Sequence, residues 1–388
     1  MKAGSPGGRS INGIRVPIKY GLIVWIAQGP ANAQGDPAMS ILAIDMGKYK
    51  SVACIDEAQQ RRRRFQSLPT SPRDFHDLFV EIQPELILIE ISPLAGWVVE
   101  LARVLGIKIL VVNTSDEPWR WKKVKRKTDK DDALKLIRLH RNDELLYVHM
   151  PDRAVRQWRA LIAYRQQCVK RVTAAKNRVR AIVLAEGQAM PSGQKAWSQE
   201  GRKVVGAMAC PLAKVQADQL WRGMLHSELE HLGRVEAELL EVDKKLDQLQ
   251  ADNERVNRLK EVPKVGPRLA EVVVSLIDDP KRFTRGRQVS AYAGLTPRQW
   301  ESGQMQRQGH ISRAGSGLLR KLLVQISWQG IRDVPWMQAV YERARGGSLK
   351  RKKVAIVAVA RRLLVRLWAM LRDGTRWRDV AASAVAAG

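Results

Sequence analysis

The sequence predicts an α/β domain, then a long helical, coiled-coil-like region, then a mainly α C-terminal domain. Three observations carry this. Between residues 40 and 150, apolar runs of strand length alternate with stretches of helical spacing, which argues a sheet covered by helices. Between 152 and 255, apolar residues recur every three or four positions over long windows. From 256 onward, a Pro/Gly turn precedes a succession of apolar helices. A chain of 388 residues has room for two or three domains of roughly 100–200 residues each.

In the first region, Ser40–Asp45 reads as a strand ending in an acid, and Ser51–Ile55 as a second strand after the turn-like Gly47-Lys48. Arg62–Leu68 is a candidate third strand, and helical spacing covers about 73–82. Leu86–Glu90 is an apolar run of buried-strand length, again ending in an acid. Helical spacing through Val98, Leu101, Val104 and Leu105 leads to the strand Lys108–Val112. Asp129–His140, with Leu134, Ile137 and Leu139, reads as a helix. The second region opens with the stripe Leu161, Tyr164, Cys168, Val172, Ala175, Val179 and Ile182, flanked by Arg165, Lys170, Arg171, Lys176, Arg178 and Arg180. Those arginines could grip RNA. A helix over about 214–252 places Leu225, Leu232, Leu239 and Leu246 seven apart, with Val235, Val242 and Leu249 three beyond the last three. This is an a/d seam with acidic flanks. It predicts either a coiled-coil arm between copies of the chain or an antiparallel hairpin with the 155–185 helix. Residues 187–212 read as the loop between the two. The third region opens on Glu261–Pro267, an apolar-Pro-x-apolar-Gly turn of helix-hairpin-helix type, whose backbone N–H groups can face a phosphate. The helices 318–331, 337–345 and 353–371 follow. The resulting domain boundaries are 39–150, 151–255 and 256–375, with a tail at 376–388.

Residues 1–38 are expected to stand outside the fold, as a disordered leader or as the product of a start assigned upstream of Met39. Arg15 and Lys19 before Tyr20–Ala27, then Ala31-Asn-Ala33, also admit a secretory signal. The rest of the chain argues against secretion: Lys+Arg number 67 against Asp+Glu 39, a net charge of +28. That balance disfavours an ordinary acidic metabolic enzyme and points to a polyanionic partner. Cys54, Cys168 and Cys210 are odd in number and far apart. They make no disulfide framework or CxxC zinc pair, and buried or half-buried thiols are expected. No apolar run reaches the ~18 residues of a membrane-spanning helix. The six histidines show no ligand spacing.

The carboxylates are the chemical centre. Asp45 and Glu90 end strands, where α/β folds place their sites. Asp129 and Asp132 are three apart on one helix face, while Asp131 points away. Convergent carboxylates require a compensating cation, and an all-oxygen donor set suits Mg²⁺ or Mn²⁺. Two such ions can clamp the attacking and leaving oxygens of a phosphodiester. A strand-end Asp can also cap a turn, and Asp129 a helix. Lys122, Lys123, Lys125, Arg126 and Lys127 run into the Asp pair, with Trp119 and Trp121 interleaved as possible base-stacking platforms.

Strand-Asp45, strand-Glu90 and Lys127-Thr-Asp-x-x-Asp-Ala133 resemble the D-E-D-D tetrad of RuvC-like, ribonuclease-H-fold domains. They resemble in particular the DEDD transposases of bacterial insertion sequences that are guided by a bridge RNA. The C-terminal segment matches in order and spacing: Val262-Pro-x-Val-Gly266, Arg282-Phe283, Gln288, Tyr292-Ala-Gly-Leu-Thr-Pro297, Glu301-Ser302-Gly303, Gly309, Ile311-Ser312-x-x-Gly315 and Leu319-Arg320. The resemblance covers about 40–375. It implies an RNA-guided, metal-dependent DNA recombinase whose tetrad binds two divalent ions and whose Ser302 forms a phosphoserine link to DNA. It further implies a site shared between protomers of a dimer or dimer of dimers, and a cytoplasmic, nucleoid-associated protein. Ser312 and Ser316 are competing serines, of which Ser312 could bind phosphate and Ser316 could cap a helix. Arg313 and Arg320 are expected on phosphate. Ile91-Ser-Pro-Leu94 after Glu90 departs from the small residues and Gly common in relatives. The alternative is a metal-dependent, structure-selective nuclease resembling a Holliday-junction resolvase, with water as nucleophile. A degenerate, purely binding protein is the third class.

Overall fold

A computed structural model describes residues 26–27, 39–57, 62–113, 128–302 and 305–377. The chain divides into two compact units. One comprises residues 1–153 with 277–388, the other 154–276.

In the first unit the strands are β1 (Ile26–Ala27), β2 (Ile41–Met46), β3 (Lys50–Glu57), β4 (Arg62–Pro69), β5 (Leu86–Glu90), β6 (Lys108–Val112) and β7 (Tyr147–Val148). They form one sheet in the order β1-β7-β6-β5-β2-β3-β4. β2, β5 and β6 run parallel, and β3, β4 and β7 are antiparallel to their neighbours. This mixed sheet is consistent with a RuvC-like, ribonuclease-H-like fold. Ile26–Ala27 fall in the leader expected outside the fold, yet pair with Val148 and Tyr147. That pairing covers backbone groups that β7 would otherwise expose at the sheet edge.

Alternation along the strands sorts side chains onto two faces. Leu42, Ile44, Ile87 and Ile89 pack with Phe75, Phe79, Val98 and Ala102 of α1 (Pro72–Ile82) and α2 (Ala95–Val104). Ile41, Ala43, Leu86 and Leu88 pack with Ala133, Leu136 and Ile137 of α3 (Asp129–Arg141). α1 begins where Ser71 accepts from the Asp74 amide and Pro72 occupies the first turn. Cys54 is fully buried, and burial, reinforced by Asp56, pushes its thiol up to about 11. Cys168 is also buried and Cys210 half-buried, all three as free thiols.

The same unit contains α9 (Gly286–Tyr292), the hairpin β8 (Pro297–Ser302) and β9 (Met305–Ile311), α10 (Gly317–Gly330), α11 (Pro335–Arg345) and α12 (Lys352–Asp373). α12 is the central helix, burying Ile356, Leu363, Leu364 and Leu367, and it packs on α9, α10 and α11. The tail expected from 376 is described as far as Trp377, whose ring lies 6.1 Å from that of Trp336.

The second unit holds α4 (Arg153–Ala185), α5 (Gln199–Met208), α6 (Leu220–Ala251), α7 (Glu254–Lys260) and α8 (Pro267–Ile277). α4 and α6 form an antiparallel hairpin within the chain. Val179 and Val183 pack with Leu225, and Ala175 with Leu232 and Val235. As α4 advances through Arg165, Arg171 and Arg178, its ionic partners in α6 step back through Asp243, Glu238 and Glu228. Leu225, Leu232 and Val235 of the heptad seam are thus packed by the chain's own helix, the hairpin of the two arrangements the pattern allowed, while Leu249 at its far end is exposed. α7 and α8 flank the Val262–Gly266 turn, with Val262 and Val265 buried and Lys264 left-handed at φ 69°.

Candidate active site

In the parallel β2–β5 pair, Ile44 stands opposite Ile89. The next residues on each strand are Asp45 and Glu90. They are in phase with Ile41, Ala43, Leu86 and Leu88, so both carboxylates lie on the α3 side of the sheet. Both are half-buried.

α3 begins with a reciprocal cap. Asp131 N donates to Thr128 Oγ1 at 3.3 Å, and Thr128 N donates to Asp131 Oδ2 at 3.1 Å. The cap therefore falls to Thr128 and Asp131, not Asp129. Asp132 is 7% exposed, and Asp129 is exposed one turn earlier on the same helix face. At the other end of the helix, Arg141 donates to Asp56 at 2.7 and 3.1 Å. Asp56 pairs with Ile41, at the start of β2. A helix of this length spans about 20 Å, close to the length of the strand it covers. The first turn of α3 therefore lies toward the Asp45 end of β2.

Asp45, Glu90, Asp129 and Asp132 are thus delivered to one edge and one face of the sheet. Their hard oxygen donors suit Mg²⁺ or Mn²⁺ in kind. Among the described residues, no three His, Cys, Asp or Glu side chains converge tightly enough to hold an ion. Drawing the four together works against their mutual repulsion and calls for a compensating cation. Lys122, Lys123, Lys125, Arg126 and Lys127, with Trp119 and Trp121, lie outside the described residues.

Ser302 is the last residue of β8, opposite Met305 of β9, at the tip of the hairpin. The competing serines have local tasks. Ser316 caps α10 by accepting from Leu319 N at 3.2 Å, and Ser312 Oγ accepts from Ala314 N at 3.4 Å.

At the root of the hairpin two loops cross in near contact. Gly294 and Gly315 adopt φ of 67° and 72°. A Cβ on Gly294 would stand 2.0 Å from the Ala314 oxygen, and one on Gly315 2.1 Å from the Tyr292 oxygen, so neither position admits a side chain. Ser312 N donates to Thr296 O at 2.8 Å, and Arg313 N to Gly294 O at 3.2 Å. Arg320 staples the crossing. Its Nη1 donates to the carbonyls of Ala293 at 3.2 Å, Gly315 at 3.1 Å and Ala314. Burial, with Arg313 nearby, holds its pKa below the usual guanidinium value. Arg320 was expected on phosphate; its Nη1 has this internal task, and the residue also lines the adjacent groove. Arg313, itself left-handed at φ 55°, lines an adjacent groove.

Several cations of α4, which the sequence offered as an RNA grip, make ion pairs within the hairpin. Arg165, Arg171, Lys176 and Arg178 pair with Asp243, Glu238, Glu236 and Glu228 of α6 at 2.6–2.9 Å. Arg180 lies over the Trp197 ring and donates to Gly193 O. The acidic flanks of the seam were the sequence signal for this neutralisation. Sequence reasoning did not single out Lys321 and Trp328, exposed on one face of α10. Their spacing with Gln325 was the available signal.

Carboxylates at the ends of neighbouring parallel strands in a strongly basic chain suit an enzyme of nucleic-acid phosphodiesters, and the comparisons place the chain among transposases. Residues 42–186, which include all four acids, match a family model of DEDD transposases of the IS110 type. Residues 256–342, which include Ser302, match the transposase IS116/IS110/IS902 family. The chain is 30% identical over 263 residues to the transposase for insertion sequence element IS1111A of Coxiella burnetii, covering 65% of this chain and 68% of that protein. It is 26% identical over 346 residues to a Pseudomonas aeruginosa protein named "Probable family 20 transposase", covering 88% of this chain and 99% of the other. It is 26% identical over 218 residues to the transposase for insertion sequence element IS1328 of Yersinia enterocolitica, covering 56% and 63%. The chain belongs to the IS116/IS110/IS902 family: it is an insertion-sequence transposase, and DNA is its substrate. Among the described residues, no helix is long and apolar enough to cross a membrane.

Proposed function

We propose that this transposase cuts and rejoins DNA through Ser302, at a site whose divalent cations are held by Asp45, Glu90, Asp129 and Asp132, with the DNA chosen by a guide RNA. The observation that carries the reading is the delivery of strand-end Asp45 and Glu90 to the sheet face covered by α3, whose first turn bears Asp132. When bound, the cations would neutralise charge on the scissile phosphate and lower the barrier to its displacement. Ser302 Oγ attacks phosphorus, and the P–O bond to the leaving deoxyribose oxygen breaks. The hydroxyl proton ends on that oxygen, and the DNA is left esterified to serine. Attack by a hydroxyl of a second DNA strand reverses these steps and rejoins the backbone. A basic surface binds phosphates without reading bases, which is why sequence choice is assigned to pairing with RNA. A site shared between copies of the chain would use surfaces that α4 leaves uncovered on α6, where Leu240 and, at the far end of the seam, Leu249 are exposed.

The test incubates protein, flanking-element RNA, matched DNA and Mg²⁺, and resolves the products on denaturing gels. An RNA-dependent protein–DNA adduct, lost in Ser302→Ala, is expected. Asp45→Asn should abolish cleavage while RNA binding persists. Cleaved DNA without an adduct would replace the serine mechanism with water attack, and full cleavage by Asp45→Asn would refute the metal role.

A further inference from the structure

The structure assigns a second nucleic-acid contact, separate from the carboxylate edge and from the Ser302 tip. We propose that the groove between α10 and the root of the β8–β9 hairpin holds a single-stranded segment of the substrate DNA, with one base stacked on Trp328. The proposal rests on DNA being the substrate, not on the roles of Ser302 or the cations.

The groove has a volume of about 670 Å³. Leu295 and Val324 supply apolar lining, and Arg313 and Lys321 bring positive charge. None of its lining residues is acidic. α10 explains the layout. Leu319, Leu323, Ser327 and Gly330 are buried against the C-terminal bundle. The opposite face therefore presents Lys321, Gln325 and Trp328, spaced four and three residues apart. Trp328 is 40% exposed. Its ring lies 6.3 Å from that of Tyr341 on one side, and the part of the indole left open beside cations is apolar surface exposed to water. It suits a ligand with a flat π face on a charged backbone, and an unpaired nucleotide offers both. Bases inside a duplex do not offer their faces, so the segment is single-stranded.

Placement gives the contact a purpose. Ile311, at the end of β9, also lines the groove. The hairpin from there to its tip is about 20 Å long. A strand bound beside Ile311 therefore lies about one hairpin length from the hairpin tip, roughly six stacked nucleotides at 3.4 Å each. Arg313, turned left-handed by the Gly294–Gly315 crossing, extends the cationic side toward that hairpin.

The experiment uses the full chain and a short oligothymidylate carrying one 2-aminopurine and a fluorescent label, at about 200 mM salt to suppress diffuse binding. Trp328→Ala should weaken binding about 5- to 150-fold, the range of one lost base stack, and abolish quenching of the 2-aminopurine. Trp328→Phe should keep most of both. Lys321→Gln should reduce the salt slope by about 0.7. Gln325→Glu changes only an exposed position and should weaken binding several-fold, which keeps the test decisive if Trp328→Ala fails to fold. Retained quenching in a folded Trp328→Ala, or unchanged affinity in Gln325→Glu where Trp328→Ala does not fold, would overturn the proposal. So would oligouridylate binding that is tighter and more sensitive to the same variants, which would assign the groove to RNA. Ser302→Ala should bind the oligonucleotide as wild type does, so adduct loss with an intact groove tests the serine reading alone.

Discussion

Glu271 should make the helical unit less stable as pH rises from about 4.5 to about 7. It lies on α8, 1% exposed. Burial pushes its carboxyl up to about 7, against the opposing pull of Arg268, whose Nη1 is 3.3 Å from both carboxylate oxygens. Arg268 Nη2 meanwhile serves Asp243 and Asp247 at 2.8 Å, so its charge is divided among three acids. In the unfolded chain the carboxyl titrates near 4.5. Between that value and 7, the folded protein keeps a proton that the unfolded chain has released. Stability therefore falls across this window and is level above it. At 1.36 kcal/mol per pH unit, the loss is at most about 3 kcal/mol. Glu271→Gln keeps the shape and removes the titration. It should match wild type near pH 4.5 and exceed it by up to about 3 kcal/mol at pH 8. Urea unfolding followed by helix signal at a series of pH values reads the difference. The same pH dependence in wild type and variant would refute the reasoning.

Gly315→Ala should destabilise the C-terminal part by more than about 1 kcal/mol, because φ of 72° and the Tyr292 carbonyl both oppose a Cβ. Thermal unfolding checks it, and a neutral result would mean that the loop crossing is not rigid. Thr128→Ala should cost about 1 kcal/mol by removing the α3 cap. It should also lower strand cleavage more than DNA binding, since the loosened turn carries Asp132. Thr128→Ser should restore both, and equal losses of binding and cleavage would count against a positioning role.

Much of the first domain is legible in local pattern. Strand period two and helix period 3.6 place β2, β5, β6 and α3 at their observed bounds to within a residue or so. The same alternation states which face Asp45 and Glu90 share. Spacing set Asp131 apart from Asp129 and Asp132, but it offered Asp129 as the cap, and the structure gives that task to Thr128 with Asp131. The β1–β7 pairing was not legible: two-residue strands have no period, and their partner is more than a hundred residues away.

What the sequence determined by itself is therefore what rests on near neighbours: the strands, the helices, the excess of positive charge, and the acids at strand ends and on one helix turn. Tertiary structure alone decided how the charges and surfaces are spent. The Arg-rich face of α4 looks like a nucleic-acid grip until α6 folds beside it and supplies Asp243, Glu238, Glu236 and Glu228. Arg320 looks like a phosphate ligand until the Gly294 and Gly315 loops cross and offer three carbonyls to one nitrogen. Trp328 was not singled out from the other apolar residues of its helix, and only the packing of the opposite face of α10 leaves its indole lining a cationic groove. A side chain's partners are set by which distant segments fold against it, and no local spacing records that.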